Sequence, residues 1–199
     1  MHKLWILFVW VIFLSGCKLI IGIGNYKNLK KSEIEKCAKR YKIPLTEVAE
    51  IDTVSYNSYL ASFRNDKLKN NFKQPFQVRV FDSNGKIILF IVNCTVGGFP
   101  KLGWNRCGSF DVFPPDKKCF SNVDTTLSLS TDLKHYRNTD GSEIKPEFFE
   151  KQDVTIIIYW AKFMGRHSKR LIRMINDYKE KYKGKKIAVL FVNDDNLYK

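Results

Sequence analysis

The fold is decided by residues 154–193, VTIIIYWAKFMGRHSKRLIRMINDYKEKYKGKKIAVLFVN. Residues 154–160 form an almost uninterrupted apolar run, which predicts a strand covered on both faces, and residues 186–193 predict a second one. The intervening residues, from about 168 to 183, predict a helix. Because strand, helix and strand of this length form a right-handed unit, we expect the two strands to be parallel. The helix has apolar residues at helical spacing, namely Leu171, Ile175, Tyr178 and Tyr182.

Three further features surround this unit. A polar hairpin containing Asp140-Gly141 precedes the first strand, the aromatic stretch YWAKF occupies residues 159–163, and VNDD at residues 192–195 ends the second strand. Over about residues 132–196 the pattern resembles the thioredoxin superfamily, especially the membrane-anchored thiol-disulfide oxidoreductases of bacterial envelopes. The resemblance implies an α/β fold with a thioredoxin-like mixed sheet and flanking helices, here incomplete or rearranged and carrying an N-terminal extension.

The positions that hold the two family thiols are different in this chain. Met164, Gly165, Arg166 and His167 stand there, with Met in place of the nucleophilic cysteine and His in place of the resolving one. Thiol-disulfide exchange requires an ionised thiol, and a thioether cannot ionise. No serine, cysteine or carboxylate partner for His167 can be identified, and Ser168 is expected to cap the helix. The resemblance therefore implies a degenerate active site, and we expect no catalytic residue here.

The same helix start is strongly basic. Its first turns carry Arg166, Lys169, Arg170 and Arg173, near the positive end of the helix dipole. Two interpretations remain open: a site for an anion or an acidic peptide, and a solvated basic face.

A second hairpin is predicted upstream. Two β-rich runs, residues 77–81 and 86–93, flank the turn signal DSNG at residues 82–85. Together with Gln74-Pro75 it resembles the cis-proline hairpin that follows the second strand in the thioredoxin family. Only six residues follow Asn193, so we expect this hairpin to complete the sheet in a rearranged order. The alternative is a truncated descendant of a longer oxidoreductase.

The N-terminus indicates export. His2 and Lys3 precede eleven apolar residues, LWILFVWVIFL at 4–14, and LSGC follows at 14–17. The LSGC string resembles the lipobox of bacterial lipoproteins, which implies a signal peptide at residues 1–16 and a lipid on Cys17 as the membrane anchor. A spanning helix is the alternative, but it needs roughly 20 apolar residues.

Four further cysteines, Cys37, Cys94, Cys107 and Cys119, allow three disulfide pairings in an oxidising compartment. One disulfide within residues 94–119 is favoured. Metal binding is not expected, because no close CxxC pair and no histidine occur in that segment, and no cofactor is indicated.

The chain is basic, with a formal charge of +14. Loss of residues 1–16 leaves about +13, and an exported chain meets anionic lipids and envelope polyanions rather than nucleic acid. The predicted organisation is a signal peptide (1–16), a flexible lipidated tether (17–31), a helical extension (32–73), a hairpin and cysteine-containing loop region (74–130) and the βαβ core (131–199).

Three functions follow as hypotheses. The first is a redox-inactive, lipid-anchored module that binds an envelope protein or peptide, facing the periplasm or the exterior. The second is a thiol-disulfide enzyme that uses Cys94, Cys107 or Cys119 in place of the lost motif. The third is a basic surface lipoprotein that binds polyanions.

Overall fold

The computed structural model describes residues 22–94, 96–97, 102–117 and 127–198. These residues form an α/β fold with a six-stranded mixed sheet. The helices are α1 (Lys31–Arg40), α2 (Thr53–Ser62), α3 (Asp66–Phe72), α4 (Leu129–Leu133) and α5 (Gly165–Lys181). The strands are β1 (Val48–Ile51), β2 (Gln77–Asp82), β3 (Ile87–Val92), β4 (Tyr136–Asn138), β5 (Val154–Trp160) and β6 (Ile187–Asn193). Short 3-10 turns occur at Leu45–Glu47, Pro146–Phe148 and Asp195–Leu197.

The strands follow the order β3-β2-β5-β6-β1-β4 across the sheet. Strands β5, β6 and β1 are parallel to one another. Antiparallel strands flank this parallel centre, with β2 beside β5, β3 beside β2 and β4 beside β1. The predicted parallel pairing of the two apolar strands is therefore confirmed, and α5 connects them.

The predicted hairpin β2–β3 belongs to this same sheet. Val78 of β2 lies opposite Ile158 of β5, so the hairpin extends the sheet beside the strand that leads into residues 164–167. Its turn depends on Asp82, whose side chain accepts hydrogen bonds from two backbone N–H groups, and on Gly85, whose φ of +72° favours glycine. The register between β2 and β3 shifts between Val80 and Phe81.

The cis-proline that the hairpin resemblance implies is not at Gln74-Pro75. Within the described residues, the cis peptide bond is Phe113–Pro114, in the loop region after the hairpin.

Both faces of the sheet are covered. Every residue of β5 and β6 is buried, which agrees with the apolar runs that predict these strands. Helices α1 and α5 cover one face, together with Trp104 and Phe110 from the loop region. Helices α2, α3 and α4 cover the other face, together with Phe149. The result is a three-layer arrangement with a separate apolar core on each side of the sheet.

Residues 32–73 are not purely helical, contrary to their predicted role as a helical extension. They contain β1, which pairs with β6 near the middle of the sheet. The 3-10 turn Leu45–Glu47 follows Pro44 and leads directly into that strand. The predicted segments 32–73, 74–130 and 131–199 all contribute strands to one sheet.

No helix in the described part of the chain has the length and apolar character needed to cross a bilayer. The predicted signal peptide at residues 1–16 and the predicted lipidation site Cys17 lie outside the described residues.

Candidate functional site

Residues 164–167, at which the family resemblance puts the thiol motif, lie at the junction between β5 and α5. Met164 is the N-cap residue of α5 and is buried, and Gly165 is the first helical residue, with a φ of +47°. Arg166 is exposed, whereas His167 is buried at 1% exposure and makes an interaction within the protein. The junction therefore presents a thioether and an imidazole, both covered by protein, at the places where the family resemblance puts thiols.

Ser168 does not cap α5, so that prediction is wrong. The helix begins three residues earlier, at Gly165, which places Ser168 inside it. The Ser168 hydroxyl is buried and donates to Ala161 O at 2.7 Å, and it accepts from Ala161 N at 3.1 Å. It thus ties the first turn of the helix to the end of β5.

The Asp195 carboxylate fixes the loop between β5 and α5. It accepts hydrogen bonds from the backbone N–H groups of Lys162 at 2.6 Å and Phe163 at 3.3 Å. The Asn193 side chain donates to the same carboxylate at 2.8 Å. Burial raises the pKa of Asp195, although these hydrogen bonds oppose the shift. Asp195 belongs to the VNDD stretch that carries the resemblance, but its sequence position does not reveal this supporting role.

Asp194 is fully buried beside it. One carboxyl oxygen, Oδ2, accepts a hydrogen bond from the Tyr198 hydroxyl at 2.9 Å, and Oδ1 has no hydrogen-bond partner in the described structure. Burial raises the pKa of Asp194 well above its usual range, because the charged form is poorly solvated there. Both acids are buried, but their hydrogen bonds differ. The Asp195 carboxylate holds the loop between β5 and α5, whereas the Asp194 carboxyl bonds only to the Tyr198 hydroxyl and leaves Oδ1 without a hydrogen-bond partner in the described structure.

Residues 22–31 lie against this end of the domain, whereas their composition predicts a flexible tether. The Gly24 N–H donates to Phe163 O at 2.5 Å. The Asn196 side chain accepts from Leu29 N at 2.9 Å and donates to Leu29 O at 3.1 Å. Leu29 is buried. The tether prediction is therefore wrong for residues 22–31, because they have both backbone partners and an apolar contact.

An ion-pair network on the surface supports the same attachment. Glu33 Oε1 lies 2.8 Å from Lys27 Nζ and 3.2 Å from Lys162 Nζ. It therefore connects residues 22–31 to the loop between β5 and α5. Hydrogen bonds from the Lys27 side chain, from the Lys30 backbone and from Lys162 lower the pKa of Glu33 to about 2. Because the pair with Lys27 is exposed, its contribution to stability is small.

Three aromatic rings, those of Tyr26, Phe163 and Tyr198, lie together at the loop between β5 and α5 and are only partly buried. The ring centroids of Tyr26 and Phe163 are 5.9 Å apart, those of Phe163 and Tyr198 are 5.9 Å apart, and those of Tyr26 and Tyr198 are 6.5 Å apart. Tyr26 is 40% exposed. We call these three residues the aromatic surface.

Cys37 is a buried thiol on α1, in the same core as Met164. Burial raises its pKa, and a hydrogen bond with Tyr41 opposes this shift. The Tyr41 hydroxyl also donates to Gly165 O at 3.2 Å, and the Tyr41 ring packs edge-on against Trp160. A thiol that is buried and has a raised pKa is a poor nucleophile, so the surroundings of Cys37 do not favour thiol exchange.

Two of the four candidate cysteines are unpaired, which excludes the disulfide pairings that include them. Cys37 and Cys94 are free thiols. Cys37 is enclosed by the core, and Cys94 is exposed after β3, with its sulfur 3.9 Å from Asn71 Oδ1. Cys107 is disulfide-bonded, and Cys119 lies outside the described residues.

The four predicted basic residues in the first turns of α5, Arg166, Lys169, Arg170 and Arg173, are all exposed. Arg170 and Arg173 line a groove of about 290 Å³ whose walls also include Asp111 and Asp177. In the described part of the chain, none of the four forms an ion pair. The structure thus brings the predicted residues together on one helix, and both interpretations of them, anion site and solvated face, remain predictions.

A buried charged cluster lies on the opposite face of the sheet. Arg79 of β2 is fully buried, and its Nη1 lies 2.7 Å from Asp132 Oδ1. The same guanidinium donates to the hydroxyls of Tyr136 at 3.3 Å and Tyr56 at 3.1 Å, and it lies 4.4 Å from the ring centre of Phe72. Alternation along the strand does not predict this cluster, because a charged residue in an amphipathic strand is expected to face solvent.

The same face also carries an open groove of about 850 Å³. Its wall includes the exposed ring of Phe148 and the buried residues Ile144, Phe149 and Leu190. It lies on the core that α2, α3 and α4 cover, whereas Met164 belongs to the core that α1 and α5 cover. None of the predicted site residues lines it.

The described residues contain no group of three His, Cys, Asp or Glu side chains that could hold a metal ion. Comparison of this chain with protein-family models, with curated proteins and with solved structures finds no match.

Proposed function

We propose that this chain is a redox-inactive, thioredoxin-like lipoprotein of the bacterial envelope that acts as a binding or accessory module. One observation carries the proposal: Met164 and His167 occupy the strand-helix junction where the family resemblance requires thiols, and both are buried. Dithiol exchange needs a thiolate and a second thiol within reach. Neither of the described free thiols, Cys37 and Cys94, belongs to that junction.

The sheet supports the thioredoxin-like part of the proposal. A βαβ unit, β5-α5-β6, lies at its centre, and the hairpin β2–β3 pairs antiparallel with β5. In the thioredoxin family such a hairpin comes after the second strand of the unit. Here it comes before the first, which is a rearranged order of the same parts.

The aromatic surface supports a binding role. Tyr26, Phe163 and Tyr198 are partly exposed next to the motif, and two of them are tyrosines. Tyrosine is enriched among the residues that dominate protein interfaces, because its ring gives a large contact area at low entropic cost. The expected partner is an envelope protein or an extended peptide segment.

An insulin-reduction assay tests the absence of redox activity. The wild-type protein is expected to match the protein-free control, because no motif thiol is present. The double variant M164C/H167C serves as the comparison, since it restores the CxxC spacing at the junction. Wild-type activity above that of the protein-free control would show the proposal to be wrong, whatever the activity of the variant.

A photo-crosslinking amino acid tests the binding role. Placed at Tyr198, it is expected to give an adduct with one envelope component in intact cells. Placed at Phe148, which is 53% exposed on the opposite face, it is expected to give no such adduct. Equal labelling from both positions contradicts a specific role for the aromatic surface.

Thiol chemistry through Cys94 is the second candidate function, and one observation favours it: Cys94 is both free and exposed. Under this hypothesis the C94S variant loses reductase activity that the wild-type protein possesses. Under the first proposal neither protein has activity.

The envelope location rests on the LSGC sequence at residues 14–17. Growth with an alkyne-tagged fatty acid is expected to label the wild-type chain and to leave the C17S variant unlabelled. An unlabelled wild-type chain argues against the lipid anchor.

A further inference from the structure

Four exposed basic residues in the first turns of α5 form a continuous line. Lys169, Arg170 and Arg173 lie three, four and seven positions after Arg166. Residues at these intervals share one side of a helix. We call these four residues the basic stripe. Four cations within two helical turns create a strongly positive local field, because no ion pair among the described residues neutralises them.

The N-terminal segment meets the fold at one end of this stripe. Gly22 lies against Arg166 so closely that a Cβ atom at Gly22 would come within 2.4 Å of Arg166 Nε. A Cβ atom at Gly165 would likewise come within 2.8 Å of Gly22 O. The chain therefore enters the described domain at the first turn of α5.

The proposed anchor is close to this entry point. Cys17 precedes Gly22 by five residues, and five residues span at most about 17 Å when fully extended. A lipid on Cys17 thus holds the first turn of α5 within about 17 Å of the bilayer surface. A tether of that length gives the basic stripe a high effective concentration at the head groups.

The far end of the stripe lies in a groove that also contains acidic residues. Arg170 and Arg173 line this groove together with Asp111, Asp177 and Lys181. Arg166 and Lys169 are not part of the groove, and Arg166 lies at the end of the stripe closest to the proposed anchor.

We propose that the basic stripe binds the anionic phospholipid head groups of the membrane that holds the anchor, so that the domain has a fixed orientation on the bilayer. The proposal rests on the proposed lipidation of Cys17 for its geometry, but charge attraction by the stripe does not require the lipid. Each basic residue close to an anionic membrane strengthens binding by about fivefold at physiological ionic strength. Screening weakens the attraction beyond about 8 Å.

The test uses the mature chain, residues 17–199, carrying C17S, so that binding does not depend on acylation. Co-sedimentation measures its partition onto vesicles of phosphatidylglycerol mixed with phosphatidylcholine, and onto pure phosphatidylcholine. We expect binding to the anionic vesicles and no measurable binding to the neutral ones. We also expect a steep loss of binding between about 0.1 and 0.5 M salt, because the screening length falls over this range from about 10 Å to less than half of that.

Two variants with the same change in net charge locate the binding surface. The stripe variant is R166Q/K169Q/R170Q/R173Q. The control variant, R64Q/K67Q/K86Q/K145Q, changes four exposed residues that lie outside α5. The stripe variant is expected to lose at least tenfold in partition, and the control variant less than threefold. Urea unfolding of both variants verifies that each is folded.

Equal loss in the two variants would overturn the proposal, because binding would then follow overall charge alone. Failure of the C17S chain to bind anionic vesicles would overturn it as well, as would equally tight binding to soluble polyphosphate, which would make a polyanion the partner. The fatty-acid labelling of wild-type protein is an independent result: its failure removes the lipid anchor, whereas failure of the vesicle assay removes the stripe.

Discussion

Arg79 is the residue whose burial most constrains this fold. Burial alone would lower its pKa, but Asp132 and the neighbouring tyrosine hydroxyls raise it, so the guanidinium is charged at all physiological pH values. A charge removed from water needs a partner in good geometry, and Asp132 of α4 provides one. The pair thereby fixes a five-residue helix onto the sheet.

Loss of one partner of this buried pair is expected to be costly. Arg79→Met leaves Asp132 as an uncompensated buried carboxylate, and we expect a loss of about 3–5 kcal/mol in the free energy of unfolding. Urea denaturation measures it. Arg137→Met is the matched control, because Arg137 pairs with Asp52 at a partly exposed site; there the expected loss is below about 1 kcal/mol. Equal losses would contradict the role given to Arg79.

The two free cysteines are expected to differ sharply in reactivity. In the native protein, N-ethylmaleimide should modify the exposed Cys94 rapidly, and it should modify Cys37 only on unfolding, because Cys37 is buried and burial raises its pKa. Mass spectrometry of digested protein, with and without urea, measures both rates. Rapid native modification of Cys37 would contradict its placement in the core.

At the scale of elements, the attachment of residues 22–31 depends strongly on Asn196. Its side chain makes both hydrogen bonds to Leu29, and each such bond contributes about 0.5–1.5 kcal/mol. We expect Asn196→Ala to release the segment and to increase hydrogen exchange at Gly24 and tryptic cleavage after Lys27. Asn57→Ala, at an exposed position of α2, is the control and should leave both rates unchanged. Unchanged rates in the Asn196 variant would show that other contacts hold the segment.

The elements differ in how well sequence predicts them. The strand predicted at 154–160 coincides with β5, and the hairpin prediction coincides with β2 and β3, because apolar runs bounded by turn residues are strong local signals. The strand β1 is missed, since four residues after a Pro-Leu-Thr-Glu turn are too few to show a period. The position of Ser168 is also wrong, because α5 begins at a glycine with positive φ, where no capping side chain marks the start.

The candidate site is predicted less completely than the fold. The basic residues at the start of α5 can be found from their helical spacing. The stretch 164–167 can be found only through the resemblance to the thioredoxin superfamily. The roles of Asp195 and Asn196 cannot be predicted in this way. Asp195 bonds to Lys162, 33 positions away, and Asn196 bonds to Leu29, 167 positions away. Such contacts depend on the order of strands in the sheet, which the local pattern does not encode.

At the scale of the whole molecule, the buried Asp194 makes stability depend on pH. Its pKa is raised in the folded state, so the folded protein retains a proton that the unfolded chain releases above about pH 4. Stability from this residue therefore falls as pH rises from about 4 towards the raised pKa, by up to about 1.4 kcal/mol per pH unit.

Asp194→Asn tests this dependence, because the amide mimics the protonated acid and can still accept from Tyr198. We expect the variant to have a higher urea midpoint than the wild-type protein at pH 7, with the difference disappearing near pH 4. Glu150→Gln, at an exposed position, is the control and should show no such difference. A variant that is less stable than the wild-type protein at pH 7 would contradict the assignment of Asp194 as a buried acid.

The strand order has a consequence for how the chain is made. Strands β5 and β6 join the pair β2–β3 to the pair β1–β4, yet they are the last strands to be synthesised. The pair β2–β3 has no central strand to dock on until β5, which ends at Trp160, has emerged, and β1 has none until β6, which ends at Asn193, has emerged. Isolated two-stranded pairs are only marginally stable. The sheet therefore cannot close until both of its central strands have left the ribosome, so β1 to β4 wait for partners that are synthesised after them.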